Sequence, residues 1–117
     1  MRPRAIAFAA TCALMLLIAT PGSASAVPGT LHYKYVDSNG ETKNRRMDDP
    51  ESKYCHNLSE TNPDVTAERP AHTPSNYTEE KAYLYTEEDC GGTEYVLRAD
   101  TGEAGADLKF RSVLFNV

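Results

Sequence analysis

Apolar and polar residues alternate along much of the chain after residue 26, which is the period of a strand with one buried face. In 31–36 the alternation places a leucine and two tyrosines on one face and a histidine and a lysine on the other. Similar runs recur at 80–86 and 93–98, and 108–117 reads as an apolar final strand. No segment has a convincing 3.6-residue period, so the pattern predicts an all-β protein.

Turn-forming residues separate the predicted strands. Asn39-Gly40 suits a type I′ hairpin turn, in which both central residues take positive φ. The segment 41–46 is then the return strand, and its polar composition is typical of a sheet edge. A second turn, 87–92, ends in a cysteine and two glycines. Ser112 interrupts the alternation of the final strand and indicates a bend or bulge.

The segment 59–76 interrupts the strand pattern. It contains three prolines, many serine, threonine and asparagine residues, and few apolar ones. We predict a proline-rich loop that connects two halves of the chain, with Val65 anchoring one short strand. A loop of this length in a small domain is often functional or mobile. Two hairpins, each followed by an apolar strand, predict an antiparallel two-sheet sandwich of two Greek-key motifs.

Residues 1–26 have the order of a secretory signal peptide. Arg2 and Arg4 precede an apolar run, 5–19, and small residues lead to Ala26, where we expect cleavage. The alternative is a transmembrane anchor, but about 15 apolar residues are short of the roughly 20 that a membrane-spanning helix needs. Cys12 lies inside the apolar run and is expected to leave with the leader.

The remaining residues, 27–117, suffice for one domain and no second one. Without Arg2 and Arg4, ten basic residues face 17 acidic ones, a net charge of −7. An acidic chain without a basic stripe is a poor candidate for binding nucleic acid or an anionic membrane. The sequence therefore predicts a secreted, extracellular protein whose partner is neither of these.

Cys55 and Cys90 are the cysteines outside the leader. Because export takes them to an oxidising compartment, we expect them to form a disulfide. The bond closes a 35-residue separation and stabilises the fold by roughly 4 kcal/mol in the chain-entropy model. The alternative is a reactive thiol with His56 as its base, but neighbouring residues of a strand point to opposite faces.

The second hairpin resembles that of βγ-crystallin-type Greek-key proteins. This family carries an aromatic residue, four residues, a second aromatic, one residue and then glycine. Tyr85, Cys90 and Gly92 have this spacing, with Cys90 in place of the second aromatic. Ser112 is similar to the family's later serine before an apolar strand. Among such proteins the chain looks like small exported actinobacterial ones, the Streptomyces metalloproteinase-inhibitor and killer-toxin-like group.

The resemblance implies a secreted, non-enzymatic protein that binds another extracellular protein, either as a protease inhibitor or as a toxin-like effector. An inhibitor needs a rigid exposed loop, and 59–76 and 99–106 are the candidates. The alternative function is a structural or stress-related extracellular protein with weak or lost calcium binding. The sequence does not indicate an oligomeric state.

Calcium binding is common among crystallin-type domains, so the resemblance raises the question of a calcium site. The family pattern is two Asn or Asp, two residues, a hydroxyl residue and then serine. With Ser112 aligned, Asp107 takes the first position, but Leu108 and Arg111 replace oxygen donors. Because calcium requires six to eight oxygen ligands, we predict no metal site. The acidic turn 87–89 is interpreted as solvated surface.

Other chemistry has no support in the sequence. His32, His56 and His72 lack the spacing of zinc ligands. There is no Gly-x-Ser-x-Gly and no His-Glu-x-x-His motif, so we predict no catalytic residues, no cofactor and no enzymatic activity. Glycosylation sequons begin at Asn57 and Asn76 and are interpreted as chance or structural.

Overall fold

The computed structural model describes residues 25–105 and 107–116, so nearly all of the predicted leader lies outside the described residues. Ser25 and Ala26 are described: the Ser25 N–H donates to Ser52 Oγ at 3.0 Å, and Ala26 forms an isolated bridge with Glu51. Val27 follows as a fully buried residue. Within the described ranges, no helix is long and apolar enough to cross a membrane.

The described chain is all-β, as the alternation predicts. Single 3₁₀ turns occur at Leu58–Glu60 and Glu88–Cys90. The strands are β1 Gly29–Val36, β2 Thr42–Asp48, β3 Cys55–Asn57, β4 Ala71–Thr78, β5 Ala82–Tyr85, β6 Glu94–Leu97, β7 Thr101–Glu103, β8 Lys109–Phe110 and β9 Ser112–Phe115.

Two antiparallel sheets form the sandwich, which confirms the predicted fold class. The first sheet has the order β2-β1-β4-β7, with β8 also paired to β4, and the second has the order β3-β9-β5-β6. Each sheet takes a hairpin and a returning strand from one half of the chain. The first sheet also takes β7 and β8 from the second half of the chain, and the second sheet takes β3 from the first half. This exchange is consistent with two Greek-key motifs and interlocks the halves.

The core lies between the sheets and follows the predicted alternation. In β1 every second side chain is buried, and in β5 the alanine and leucine are buried while the tyrosines are partly exposed. The Tyr33 and Phe110 rings meet edge to face at 6.0 Å between centroids, which joins β1 to β8. The fully enclosed apolar residues are Val27, Leu31, Leu58, Val65, Ala71, Ala82, Leu84, Phe110, Val113 and Phe115.

The predicted loop 59–76 is shorter than expected, because its last third is strand β4. This strand lies between β1 and β7 in the first sheet. Prolines are normally excluded from such central positions because they cannot donate to the ladder. Pro74 is accommodated because its register against β1 shifts between His32 and Lys34, so a bulge interrupts the ladder there. The composition indicated a loop throughout, but residues 71–76 belong to a bulged strand.

The first hairpin turn also differs from the prediction. Gly40 has φ 85°, but Asn39 is not among the residues with positive φ, so the turn is not type I′. The Gly40 N–H donates to Asp37 O at 3.0 Å, and the Asp37 N–H donates to Glu41 O at 2.8 Å. This is a three-residue loop that ends in a left-handed glycine. The return strand β2 is the edge strand that its polarity predicts.

The predicted final strand is divided between the two sheets. β8 pairs with β4 in the first sheet and β9 pairs with β5 and β3 in the second, so the chain changes sheets at Arg111. The Arg111 N–H donates to Tyr85 O at 2.8 Å, and its carbonyl accepts from the Leu58 N–H at 3.0 Å. The irregularity predicted at Ser112 is thus a crossing between sheets, one residue earlier.

Candidate functional site

The predicted disulfide is present. Cys55 in β3 and Cys90 in the second hairpin turn are bonded, with their Cα atoms 6.0 Å apart. Because β3 comes from the first half of the chain and the turn comes from the second, the bond closes the two halves on each other. Neither cysteine is therefore a free thiol.

Hydrogen bonds extend this contact along β3. The Asn57 Nδ2 donates to Asp89 Oδ1 at 2.9 Å, and the Asp89 N–H donates to Asn57 Oδ1 at 2.7 Å. The Ser59 Oγ donates to Glu88 Oε2 at 2.5 Å. Every second residue from β3 onward thus bonds one residue of the acidic turn. We call this set the junction: Cys55, Asn57 and Ser59 with Cys90, Asp89 and Glu88.

The residues that align with the calcium-binding pattern form part of this packing. Ser112 is fully buried, and its Oγ donates to Glu87 O at 2.6 Å and accepts from the Cys90 N–H at 3.0 Å. The Arg111 guanidinium lies 3.5 Å from the Glu88 carboxylate. The Ser112 hydroxyl is therefore already hydrogen-bonded within the turn, and the positive charge of Arg111 lies beside it. In the described part of the chain, no group of three or more metal-ligating side chains assembles.

Glycine in the turn has a steric cause. Gly92 has φ 80°, and a Cβ atom there would collide with the Thr86 Oγ1. That hydroxyl accepts from the Thr93 N–H at 2.9 Å, and the Thr86 N–H donates to Thr93 O at 3.1 Å. The spacing of Tyr85, Cys90 and Gly92 is therefore that of a tight hairpin turn that packs against β3.

The three histidines have separate structural surroundings. His32 meets Tyr77 edge to face at 5.5 Å, and His56 meets Tyr54 at 4.9 Å. Burial is the main cause that lowers the pKa of His72. His72 therefore remains neutral at physiological pH.

The second sequon is structural. Asn76 is fully buried, and its Nδ2 lies 2.8 to 3.1 Å from the carbonyl oxygens of Glu80, Leu97 and Arg98. Its Oδ1 accepts from both the N–H and the hydroxyl of Thr78. The side chain thus satisfies the backbone of three segments, and an attached glycan has no room in this fold.

The segment 61–70 is the remaining long loop, and it is anchored internally. Asn62 is buried, and its Nδ2 donates to the Tyr33 hydroxyl at 3.3 Å. Val65 is buried, and its N–H donates to Asn62 O at 3.0 Å. Val65 thus anchors the loop, although no strand forms around it. The first half of the loop is fixed to the core.

A short turn closes the second half of the loop. The Thr66 N–H donates to Arg69 O and the Arg69 N–H donates to Thr66 Oγ1, both at 3.0 Å. Ala67 and Glu68 between them are exposed. We call these two residues the loop tip. The residues on either side of the tip, Thr66 and Arg69, are hydrogen-bonded to each other and hold it in place.

The other candidate loop, 99–106, is largely structural, because it contains β7. The Asp100 N–H donates to Thr78 O at 3.1 Å, and the Ala104 N–H donates to Pro74 O at 2.8 Å. Both bonds tie this segment to β4. These bonds hold the described part of the segment in place, and its role as the rigid exposed loop of an inhibitor stays a prediction.

An apolar row crosses the outer face of the second sheet. Val96 pairs with Tyr83, Tyr83 with Leu114, and Leu114 with Cys55, so the four side chains point to one face. Val96 is 49% exposed. The sequence places Tyr83, Val96 and Leu114 on predicted strands, but it does not align the row, because its members come from four strands.

Beside this row, the Tyr85 hydroxyl donates to Glu94 Oε2 at 2.6 Å. The hydrogen bond to the carboxylate is the main cause that raises the pKa of Tyr85 to about 12. The phenol is therefore held protonated, as a fixed donor rather than an acid or base at neutral pH.

Sequence analysis also missed a basic edge. In β2 every residue except Met47 is exposed, and the strand carries Lys43, Arg45 and Arg46. Beside it, between the edges of the two sheets, is a cleft of about 280 Å³ whose walls include Arg45 and His56. The polar composition indicated an edge strand, but the adjacent cleft depends on how the sheets meet.

No family model, curated protein or solved structure matches this chain. The candidate contact elements are therefore the loop tip, the apolar row and the β2 edge, each argued from its own geometry.

Proposed function

We propose that this chain is a secreted, non-enzymatic protein that binds another extracellular protein, and that it does so with the loop 61–70 in the manner of a protease inhibitor. The observation that carries the proposal is the exposed tip held between bonded residues. A loop already fixed in one conformation loses little entropy on binding. Such a preformed turn suits a cleft that accepts a rigid protruding loop without rearrangement of either partner.

The ends of the loop favour inhibition over hydrolysis. On one side lies the Leu58–Glu60 turn next to the junction, and on the other lies β4 in the first sheet. If a protease cut at the tip, both new ends would remain held by the core and by the sheet. Cleavage then releases little, and the inhibitor stays assembled on its target.

Other features support the proposal without carrying it. The disulfide is typical of exported proteins, which agrees with the predicted signal peptide. The spacing of Tyr85, Cys90 and Gly92 resembles the βγ-crystallin-type hairpin. The exported inhibitors and toxin-like proteins of that kind give the proposal its functional class.

The test is a titration of the purified mature protein against a panel of extracellular metalloproteases and serine proteases at micromolar concentration. We expect at least one to be inhibited stoichiometrically and Glu68→Lys to weaken that inhibition at least tenfold. Val65→Ala loosens the loop, so we expect faster cleavage at the tip. Glu94→Lys makes the same charge change on the second sheet and should leave inhibition unchanged.

Two results would contradict the inhibitor proposal: no protease in the panel is affected, or Glu68→Lys inhibits as well as the wild type. A pull-down from spent growth medium separates the remaining forms of the proposal. A captured protease supports inhibition. Capture of a different extracellular protein instead supports a toxin-like effector, which binds its target without blocking proteolysis.

A further inference from the structure

The hydrogen bonds at the two ends of β2 show which of its residues direct their backbone N–H and C=O groups toward β1. At one end the Asp37 N–H donates to Glu41 O at 2.8 Å, and at the other the Asp49 N–H donates to Gly29 O at 2.7 Å. The register between β1 and β2 is continuous from Thr30 to Val36. Bonded and non-bonded pairs alternate along an antiparallel ladder. Every odd-numbered residue of β2 therefore directs its backbone groups toward β1.

The even-numbered residues direct theirs to the open side. Asn44 and Arg46 lie at the middle of β2, and β2 has no other partner strand in the described chain. Both residues are exposed. They offer a row of N–H and C=O groups of the kind that accepts an added strand.

The side chains give this edge a charge preference. Lys43 and Arg45 share the face of β2 that turns toward the second sheet, and Arg45 lines the cleft there. The exposed Lys43 ammonium lies 3.5 Å from the carboxylate of buried Asp37. Arg45 has no carboxylate within ion-pair distance in the described part of the chain. A guanidinium beside an open backbone edge favours a carboxylate ligand.

We propose that the free edge of β2 binds an extended acidic segment of another protein by strand addition, with carboxylates on alternate residues facing Lys43 and Arg45. This interaction goes beyond inhibition by the loop 61–70, because it uses a different surface. The backbone of the segment bonds to Asn44 and Arg46, and its side chains on one face enter the cleft. The segment therefore carries the pattern acidic-x-acidic.

Two other occupants fit this edge less well, one because of its charge and one because it has no peptide backbone. A second copy of this chain, paired antiparallel through β2 about Arg45, would set Arg45 against its own counterpart. A sulfated glycan or a nucleic acid has the charge but not the peptide backbone that the edge bonds. An acidic polypeptide satisfies both the ladder and the basic side chains.

Asn44→Pro isolates the backbone contribution, because it removes an outward N–H and leaves the bonds to β1 intact. Proline is tolerated at such edge positions. Asn44→Ala is the matched control, because it keeps the N–H. The probe is a fluorescent peptide of alternating glutamate and valine, measured by anisotropy at low ionic strength. Comparison probes are a peptide of the same composition with its glutamates in one block, and heparin as a competitor.

We expect the wild type and Asn44→Ala to bind the alternating peptide equally and Asn44→Pro to lose at least tenfold in affinity. Arg45→Glu should also lose binding and should gain affinity for an alternating lysine peptide. Glu68→Lys at the loop tip should bind as the wild type does, which separates this result from the inhibitor test. Thermal melts establish that each variant is folded.

Three outcomes would overturn the proposal. The first is no binding of the alternating peptide. The second is equal binding by folded Asn44→Pro and Asn44→Ala, which removes strand addition. The third is equal affinity for the block peptide together with full competition by heparin, which means that the edge attracts polyanions by charge alone.

Discussion

Asn57 and Asp89 bond each other twice, through the Asn57 amide to the Asp89 carboxylate and through the Asp89 N–H to the Asn57 carbonyl oxygen. They are 32 residues apart and belong to different halves of the chain. The disulfide lies beside this pair, so two consecutive residues of the acidic turn, Asp89 and Cys90, are both held against β3. The turn that suggested solvated surface or a calcium ligand is thus a structural contact.

A double-mutant cycle measures this contact. We expect Asn57→Ala and Asp89→Ala each to lower the free energy of unfolding, with a coupling of about 1 kcal/mol between them. Asn57→Ala removes both hydrogen bonds, whereas Asp89→Ala removes only the bond from the Asn57 amide, because the other donor is the Asp89 backbone N–H. Urea unfolding of the disulfide-bonded protein gives the four values. Additive costs would mean that the pair contributes no mutual stabilisation.

The disulfide is expected to dominate the stability of the junction. Replacing both cysteines by serine removes the cross-link between residues that are 35 apart, so the unfolded chain gains conformational entropy. The free energy of unfolding should fall by about 4 kcal/mol. Denaturant unfolding of the two proteins provides the comparison. The native protein should also resist alkylation and should gain two daltons in intact mass on reduction. Alkylation without reductant would contradict the bond in solution.

Asn76→Ala should be severely destabilising, by about 3 kcal/mol, because it leaves buried carbonyl groups without donors. Asn44→Ala is the control, since Asn44 is exposed on the edge strand and its loss should change stability by less than about 0.5 kcal/mol. Chemical denaturation measures both variants. Equal stability of the two would mean that the carbonyls find other donors or water.

Asp37 predicts a pH dependence. The hydrogen bond from the Glu41 N–H is the main cause that holds the pKa of this carboxyl below its usual 3.8. A depressed pKa contributes stability above the unfolded-state value, and that stability is lost as pH falls through the folded-state value. The stability gap between the wild type and Asp37→Asn should therefore be largest near neutral pH and shrink below about pH 4. Thermal melts across pH 2 to 7 test this, and a constant gap would contradict it.

Calcium should not change the melting temperature. Glu88 and Asp89 are engaged by Arg111 and Asn57, and the Ser112 hydroxyl is bonded within the turn. Binding calcium would require these contacts to break, so no net stabilisation is expected. Calorimetric melts with millimolar calcium and with chelator provide the measurement. A rise in the presence of calcium would favour the alternative function of a calcium-binding extracellular protein.

The leader makes a separate prediction about the mature end of the chain. If cleavage follows Ala26, the contact between Ser25 and Ser52 is lost, whereas buried Val27 keeps its hydrogen bond to Pro50 O at 2.8 Å. The exported protein should therefore begin at Val27 and remain folded. Intact mass and N-terminal sequencing test this. An exported form that retains residues 1–26 would contradict the predicted signal peptide.

Local patterns in the sequence predicted most strands because each strand carries its own alternation. β1 and β5 bury every second residue, and this pattern can be recognised without knowledge of neighbouring strands. In β6 only Leu97 is buried, but the strand follows a turn that the sequence marks with two glycines. Strand β4, which contains Pro74, was missed for the opposite reason. Its stability comes from pairing on both sides and from a bulge that places Pro74 where no N–H is needed.

The sequence by itself determined the class of the fold and the one disulfide, because alternation is local and two cysteines allow one pairing. Only the tertiary structure decided what the acidic turn, the buried Asn76 and the β2 edge do. Their roles depend on groups brought together from distant segments: Asn57 at Asp89, three carbonyls at Asn76, and a cleft beside Arg45. Such contacts arise from the exchange of β3 and β7 between sheets, which no local pattern encodes.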